Sequence, residues 1–280
     1  MRTVRASGPF ASTSPNGSDA RCTRPNLPAS LAPLEALAIL AAGVAAGTIN
    51  AVVGSGTLIT FPVLIALGYE PVTANVSNNI GLVPGAIAGS VGYRRELRGQ
   101  EQRVRSLGGF SAAGAACGAA ALLLLPASSF EAIVPVFIAV AIALVAFQPQ
   151  LTARLEHRHR EGAEGRTTLR AAVFVAGIYG GYFGAAQGII LISLLSLALR
   201  EHMQRANALK NVLAMLVNLV AGIVFVIAAN VDWRVAGLIA AGSVVGGWLG
   251  ARYGRRLPPD ALRALIVVVG LAAIVRLTVL

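Results

Sequence analysis

Two glycine-rich segments contain residue types that could carry chemistry in this sequence. They share small or amide side chains beside an interrupted apolar run, and the candidates are Gly54, Ser55, Gly56, Thr57, Gly184, Gln187 and Gly188. Glycine allows backbone conformations that leave N–H and C=O groups without helical partners, and N–H groups at the start of a half-helix attract anions. Close packing between helices is the alternative role of these glycines, and the sequence leaves both roles open.

Two asparagine-rich blocks place amide groups near the start of long apolar segments. They consist of Asn75, Asn78 and Asn79 in the first half of the chain and of Asn207 and Asn211 in the second half. Because Asn75 and Asn79 are four residues apart, they share a face if the segment is helical. Such amides can donate hydrogen bonds to oxyanion oxygens, while bonding between helices and helix capping are equally open roles.

A single lysine lies within the second asparagine block. This residue, Lys210, is the only lysine in the chain. A charged group in the middle of a membrane costs about 2.5 to 3.5 kcal/mol on insertion scales, so its side chain should face a cavity or extend to the headgroups. Extension to the cytoplasmic headgroups, called snorkelling, is the simpler interpretation. The alternative is that Lys210 binds an anion or supplies a charge that controls coupling.

The elements that position these residues are apolar segments long enough to cross a membrane. Of the 280 residues, 56% are hydrophobic and 12% are charged, whereas soluble domains carry about 25% charged residues. A hydrocarbon core about 30 Å thick requires about 20 apolar residues of helix. We therefore predict an all-α polytopic protein of about 8 to 10 segments that crosses the cell (plasma) membrane several times, with the lipid bilayer as a partner.

The net charge of +11 arises largely from arginines in the stretches between apolar segments. The positive-inside rule describes this distribution for cytoplasmic loops, so the charge does not indicate a nucleic-acid partner. His157 and His159 flank Arg158 in a basic stretch that has no partnering cysteine or acidic cluster, and we expect no metal site there.

A basic polar stretch divides the apolar segments into two halves with the same rhythm. In chain order we predict a disordered N-terminal tail (1–30), a first transmembrane repeat (31–147), a basic cytoplasmic linker (148–170) and a second transmembrane repeat (171–280). The second segment of each half, at 57–67 and at 189–199, is too short to span the bilayer. We predict glycine-interrupted, broken or re-entrant helices at these two places.

The two halves resemble each other, and we predict that they have opposite orientations in the membrane. Three of six positions match between residues 74–79 and 206–211. The turn before the first block lacks Lys and Arg and should be outside, whereas its counterpart contains Arg200 and Arg205 and should be inside. Inverted repeats with short, glycine-interrupted segments indicate a secondary transporter whose site lies near the midplane. The arginines of the tail do not fit, because inversion places them outside.

The first glycine-rich segment resembles a known family. Residues 54–64, followed by Gly68, Pro71 and the first asparagine block, resemble the TauE/SafE family of membrane permeases, the sulfite exporter family. Residues 180–188 resemble the second glycine-rich segment of that family. Together these matches extend the resemblance over about residues 36–257.

The resemblance implies a permease that exports or imports sulfite, sulfonates or related small anions, with coupling to the proton gradient and without a cofactor. The candidate residues of the glycine segments and asparagine blocks would then bind substrate. Two departures from the pattern are Ser55, which interrupts the glycine run, and Ser196, which stands where the first repeat has Pro62. A homo-oligomer is compatible with this interpretation.

Two other classes of function remain as alternatives. A passive anion channel has the same composition as a transporter. A membrane-embedded enzyme requires a nucleophile, metal ligands or paired carboxylates within the spans. Acidic residues are almost absent from the apolar segments, and none of the three histidines lies within one. We therefore predict that the protein is not an enzyme.

Overall fold

The described part of the chain consists of α-helices joined by short turns. The computed structural model describes residues 31–148, 150, 166–199, 202–254 and 259–279, and no strand occurs among them. The prediction of an all-α protein is confirmed for these residues. The predicted tail and most of the predicted linker, at 1–30, 149 and 151–165, lie outside them.

Within the described ranges, five helices precede the linker and five follow it. The first five are α1 (Pro33–Val52), α2 (Thr57–Ala66), α3 (Pro71–Gly92), α4 (Glu101–Leu124) and α5 (Ala127–Ala146). The second five are α6 (Arg166–Tyr182), α7 (Gln187–Ala198), α8 (Met203–Ala228), α9 (Trp233–Tyr253) and α10 (Pro259–Val279). Since α6 begins at Arg166, its first turn lies in the stretch that the sequence assigned to the linker.

Local chemistry explains where several helices begin. Pro33 and Pro71 occupy first-turn positions of α1 and α3, where proline has the required φ and no N–H group to leave unpaired. Asp232 precedes α9, and its carboxylate accepts from the N–H groups of Arg234 and Val235 at 3.0 and 3.2 Å. This side chain satisfies donors that would otherwise lack partners in the first turn.

Helix length separates the elements that can cross a membrane from those that cannot. Five helices in the described ranges are both long and apolar enough to do so, namely α1, α4, α5, α8 and α9. By contrast, α2 has 10 residues and α7 has 12. At 1.5 Å per residue they are about 15 and 18 Å long, roughly half of the hydrocarbon thickness. The two short segments expected from the sequence are therefore short helices.

Six of the ten described helices pack in two groups of three, and each group combines both halves of the chain. One group contains α1, α3 and α9, and the other contains α4, α6 and α8. The fourth helix of each half thus packs with the first and third helices of the other half. Each half completes the core of the other.

Small residues allow the backbones within each group to approach closely. A Cβ added at Gly43 would lie 3.0 Å from the carbonyl oxygen of Ile239 in α9. One added at Gly177 would lie 2.6 Å from the carbonyl oxygen of Ser111 in α4. Across the first group, the hydroxyl of Ser243 donates to the Gly81 carbonyl at 2.8 Å. These contacts are of the small-residue type that drives helix association in lipid, where burial of apolar surface contributes little.

Candidate functional site at two helix breaks

Each half of the chain contains a four-residue interruption between its first and second helices. The first break, residues 53–56, separates α1 from α2, and the second break, residues 183–186, separates α6 from α7. In the first, the N–H groups of Val53 and Gly54 both donate to the Ile49 carbonyl at 2.7 and 2.9 Å. In the second, the corresponding donors are at residues 183 and 184, and both bond to the carbonyl of residue 179 at 3.0 and 3.1 Å. The two helices therefore end in the same hydrogen-bonded turn.

Glycine is needed in each turn because the chain enters the left-handed region there. Gly54 has φ +90° and Gly184 has φ +78°. An L side chain rarely adopts such values, and glycine does so without a steric penalty. The glycine-rich signal in the sequence thus marks the two C-terminal turns.

The first break touches the first turn of α7, directly after the second break, through the backbone. The N–H group of Gly188 donates to the Gly54 carbonyl at 3.0 Å. A Cβ added at Gly54 would lie 2.5 Å from the Gly188 Cα, closer than real Cβ atoms approach. The packing role that the sequence left open for these glycines is therefore confirmed, while their role in binding an anion stays a prediction.

The starts of the two short helices adjoin this contact. Gly56 immediately precedes α2, and Ala186, at φ +58°, immediately precedes α7. Ser55 is 1% exposed, and its hydroxyl has no hydrogen-bond partner among the described residues. Amide groups in the first turn of a helix carry a partial positive charge that favours an anion. An unpartnered buried hydroxyl beside such a turn is suited to bind an oxygen of a solute.

The first asparagine block contacts both halves of the chain. The Asn75 amide donates to the carbonyl of Tyr182, the last residue of α6, at 3.0 Å. The Asn78 carbonyl oxygen accepts from the Thr60 hydroxyl, and the Asn78 amide nitrogen donates to the Thr57 hydroxyl oxygen at 3.5 Å. Both bonds join Asn78 to α2. The structure thus brings Asn78 and Thr57 together next to the first break.

Two predicted site residues make other contacts. Asn79 faces α8, because a Cβ added at Gly222 would lie 3.5 Å from its Oδ1, and this oxygen has no partner in the described part of the chain. The Gln187 amide donates to the Ala176 carbonyl at 3.3 Å and is therefore bonded to its own preceding helix. Neither contact involves the Gly54–Gly188 crossing.

The second asparagine block satisfies the end of α1. The amides of Asn207 and Asn211 both donate to the Ala51 carbonyl, at 3.3 and 3.2 Å. The Lys210 ammonium donates to the Asn50 carbonyl at 3.2 Å. Carbonyl groups in the last turn of a helix lack internal partners and carry the negative end of the helix dipole. Three donors from α8 therefore replace the helical hydrogen bonds that α1 loses at the break.

Lys210 does not snorkel, and that interpretation of the sequence is wrong. Its side chain is 0% exposed, and its bond to Asn50 holds it against the broken end of α1. Of the three N–H groups of the ammonium, one has a partner among the described residues, and no carboxylate pairs with it there. The first break therefore has a buried lysine amino group with unused donor capacity beside it.

Aromatic residues that the sequence analysis did not identify surround the second break. The ring of Phe183 packs at 5.2 Å from that of Phe61 in α2, at 5.9 Å from Phe130 and at 6.0 Å from Phe137, both in α5. The Tyr182 ring joins the same cluster through Phe130, at 5.6 Å. A ring beside Gly184 was visible in the sequence, but nothing there connected it with residues of α5.

The acidic, histidine and cysteine side chains of the described ranges are scattered. Over the described ranges, no group of three or more His, Cys, Asp or Glu side chains is arranged to hold a metal ion. The polar side chains around the breaks are hydroxyl, amide and ammonium groups. They are suited to bind a solute.

The chain is similar to known membrane transporter proteins. The family profile described as "Sulfite exporter TauE/SafE" matches residues 39–277. A probable membrane transporter protein, ORF9, of Sinorhizobium sp is 29% identical over 83% of this chain and 88% of its own length. A probable membrane transporter protein of Haemophilus influenzae is 27% identical, with coverages of 84% and 91%.

The same relationship extends to a third relative. The probable membrane transporter protein YfcA of Escherichia coli K12 is 25% identical over 80% of this chain and 82% of its own length. No solved structure matches the chain significantly. Given the family match over most of the chain, with apolar helices long enough to cross a membrane, this protein is a membrane transporter that belongs to the TauE/SafE family.

Proposed function

We propose that the chain transports a small oxyanion, such as sulfite or a sulfonate, across the cell membrane through the region where the two breaks meet. The observation that carries this proposal is the Lys210 ammonium, which is fully buried beside the first break and has no carboxylate partner in the described part of the chain. The family description, which names sulfite, supports the class of substrate.

The cost of burying a charge explains why Lys210 suggests an anionic substrate. An isolated ammonium in a medium of low dielectric constant is strongly disfavoured unless it is paired and hydrogen-bonded. One neutral carbonyl satisfies one of its donors. An oxyanion would supply both the missing opposite charge and acceptors for the remaining donors.

The segment before α2 would supply a neutral donor to the same anion. The N–H groups of Leu58 and Ile59 already donate to the carbonyls of Ser55 and Gly56, at 3.1 and 2.9 Å, whereas the Ser55 hydroxyl has no partner among the described residues. A Cβ added at Gly56 would lie 3.2 Å from the Cβ of Asn50, the residue whose carbonyl binds Lys210. The helix start and the ammonium are thus linked through one residue of α1.

Purified full-length protein in proteoliposomes tests the proposal. Uptake of labelled sulfite, sulfate, taurine and sulfoacetate is measured with and without a pH gradient, using protein-free liposomes as the control. We expect saturable uptake of at least one small anion, accelerated by a pH gradient of one direction. Uptake of none of them contradicts the proposal.

A passive channel is distinguished by exchange behaviour. A transporter that alternates between two states accelerates the efflux of labelled anion when unlabelled anion is added to the opposite side. A channel shows no such stimulation, and its flux stays proportional to concentration. Saturation together with stimulated exchange therefore supports a transporter.

The proposed mechanism also requires the two halves to have opposite orientations, which stays a prediction. The reciprocal packing of α9 with α1 and α3, and of α4 with α6 and α8, supports it. In a variant with Cys22 and Cys117 replaced by serine, single cysteines are introduced at positions 98, 127 and 231. We expect an impermeant thiol reagent to label positions 127 and 231 in whole cells and to spare position 98. Labelling of position 98 alone would contradict the orientation.

A further inference from the structure

We propose that Lys210 makes the site selective for ions with a single negative charge over dianions of similar size. This inference rests on the proposed anion transport and specifies the charge of the substrate. It follows from the number of charges at the first break rather than from the family description, which names a compound whose charge changes with pH.

The described surroundings of the first break contain one cation and otherwise neutral groups. The side chains bonded to the end of α1 or the start of α2 are Lys210, Asn207, Asn211 and Asn78. The adjacent hydroxyls belong to Ser55, Thr57 and Thr60, which are 1%, 9% and 1% exposed. Lys210 has no ion-pair partner in the described ranges. The protein can therefore neutralise one negative charge there.

Electrostatics then disfavours a second charge. The cost of taking an ion from water into a medium of low dielectric constant grows with the square of its charge, whereas its attraction to a single ammonium grows only in proportion to the charge. A dianion therefore pays about four times the desolvation cost of a monoanion and gains about twice the attraction. The complex would also keep a net negative charge in a buried place.

Methanesulfonate and sulfate provide the test because their charges do not change near neutral pH. Both present oxygen atoms on a tetrahedral sulfur, and they differ by one unit of charge. Their affinities are measured by inhibition of labelled sulfite uptake into proteoliposomes. For the unaltered protein we expect methanesulfonate to bind at least about tenfold more tightly than sulfate.

Removal of the charge should reduce this preference. Lys210→Gln should weaken methanesulfonate binding by roughly ten- to 150-fold, the effect of a charge-assisted hydrogen bond, and should bring the two affinities closer together. Lys210→Arg should retain most of the preference. Arg252→Gln is the matched control, because it removes one positive charge from an exposed position at the end of α9, stacked on Trp248.

The outcomes separate this inference from the proposed function. If the unaltered protein transports no small anion, both fail. If it transports anions but binds sulfate as tightly as methanesulfonate, only the charge inference fails. The charge inference also fails if Lys210→Gln lowers the thermal stability but keeps the preference, which would show that Lys210 only caps α1. If Lys210→Gln does not fold, the inference is tested by the preference for methanesulfonate over sulfate in the unaltered protein and in Lys210→Arg. Absence of that preference in the unaltered protein contradicts the inference.

Discussion

The two helix breaks have the same backbone geometry and different surroundings. Both contain a glycine with positive φ at their second position, and in both the preceding helix ends with two N–H groups bonded to one carbonyl. At the first break, the carbonyls of Asn50 and Ala51 receive three donors, one of them the Lys210 ammonium. At the second break, the Tyr182 carbonyl receives the Asn75 amide, and aromatic rings pack around the chain.

This difference shows that the same backbone turn occurs in two chemically distinct surroundings. Polar donors and a charge suit the first break to bind a solute. Packed rings suit the second break to resist deformation, because aromatic pairs add about 0.5 to 1.5 kcal/mol beyond the area they bury. The first break is thus polar, and the second is enclosed by packed rings.

The largest expected effect comes from a substitution that affects both breaks together. In Gly188→Ala, the new Cβ would lie 2.8 Å from the Gly54 carbonyl oxygen, and backbone on both sides would have to move. We expect loss of most of the folded protein, a larger effect than the about 1 to 3 kcal/mol that is typical of overpacking. Size-exclusion chromatography of a fluorescent fusion measures the folded fraction.

A matched glycine elsewhere provides the control for that substitution. A Cβ added at Gly237 in α9 meets nothing within 4 Å, so Gly237→Ala should leave the folded fraction unchanged or slightly higher. Equal behaviour of Gly188→Ala and Gly237→Ala would show that the two breaks do not form a rigid contact.

The next effect concerns the aromatic surroundings of the second break alone. Phe183→Ala removes a ring that is 4% exposed and contacts three other rings, and we expect it to destabilise the protein by about 3 to 5 kcal/mol. Thermal unfolding in detergent measures the change. Phe147→Ala, at a ring that is 63% exposed, is the control and should have little effect. Similar melting temperatures for both variants would contradict a structural role of the cluster.

A smaller effect compares the hydrogen bonds at the two helix ends. Asn75→Ala leaves the buried Tyr182 carbonyl without its side-chain donor and should cost about 1 to 3 kcal/mol. Asn207→Ala should cost less, because Asn211 still donates to the same Ala51 carbonyl. The double variant Asn207→Ala/Asn211→Ala should cost more than the sum of the two single variants.

Chemical denaturation of the four variants in detergent, at equal protein concentration, gives the free energies needed for this comparison. Additivity of the two single substitutions in the second block would show that Asn207 and Asn211 do not share the Ala51 carbonyl. A smaller cost for Asn75→Ala than for Asn207→Ala would contradict the difference between the two helix ends.

The smallest effect is at Ala186, which has φ +58° before α7, whereas its counterpart before α2 is Gly56. An L residue in the left-handed region costs about 1 to 2 kcal/mol, and a glycine costs about 0.5 to 1 kcal/mol in unfolded-state entropy. Ala186→Gly should therefore stabilise the protein by roughly 0.5 kcal/mol. Thermal unfolding checks the sign, and a clear loss of stability would show that the Ala186 methyl packs usefully.

Several features of the fold could be predicted from the sequence because they depend on local composition. Segment length and polarity determined that the protein is helical and lies in a membrane, and they located the short helices α2 and α7. Glycine-rich runs located both breaks, because only glycine readily adopts the positive φ that each turn requires. The amides of Asn75 and Asn207 were identified as polar groups in apolar helices, although their partners were not.

The contact partners of these polar residues depend on which helix faces meet, and only the tertiary structure decided which faces meet. Periodicity cannot identify the inner face of a membrane helix, because lipid is as apolar as the protein core. The inward position of Lys210, the bond between Gly188 and Gly54, and the rings that α5 brings to the second break all join residues far apart in the chain. Hydropathy is a property of one segment, whereas each of these contacts requires two segments to be placed together.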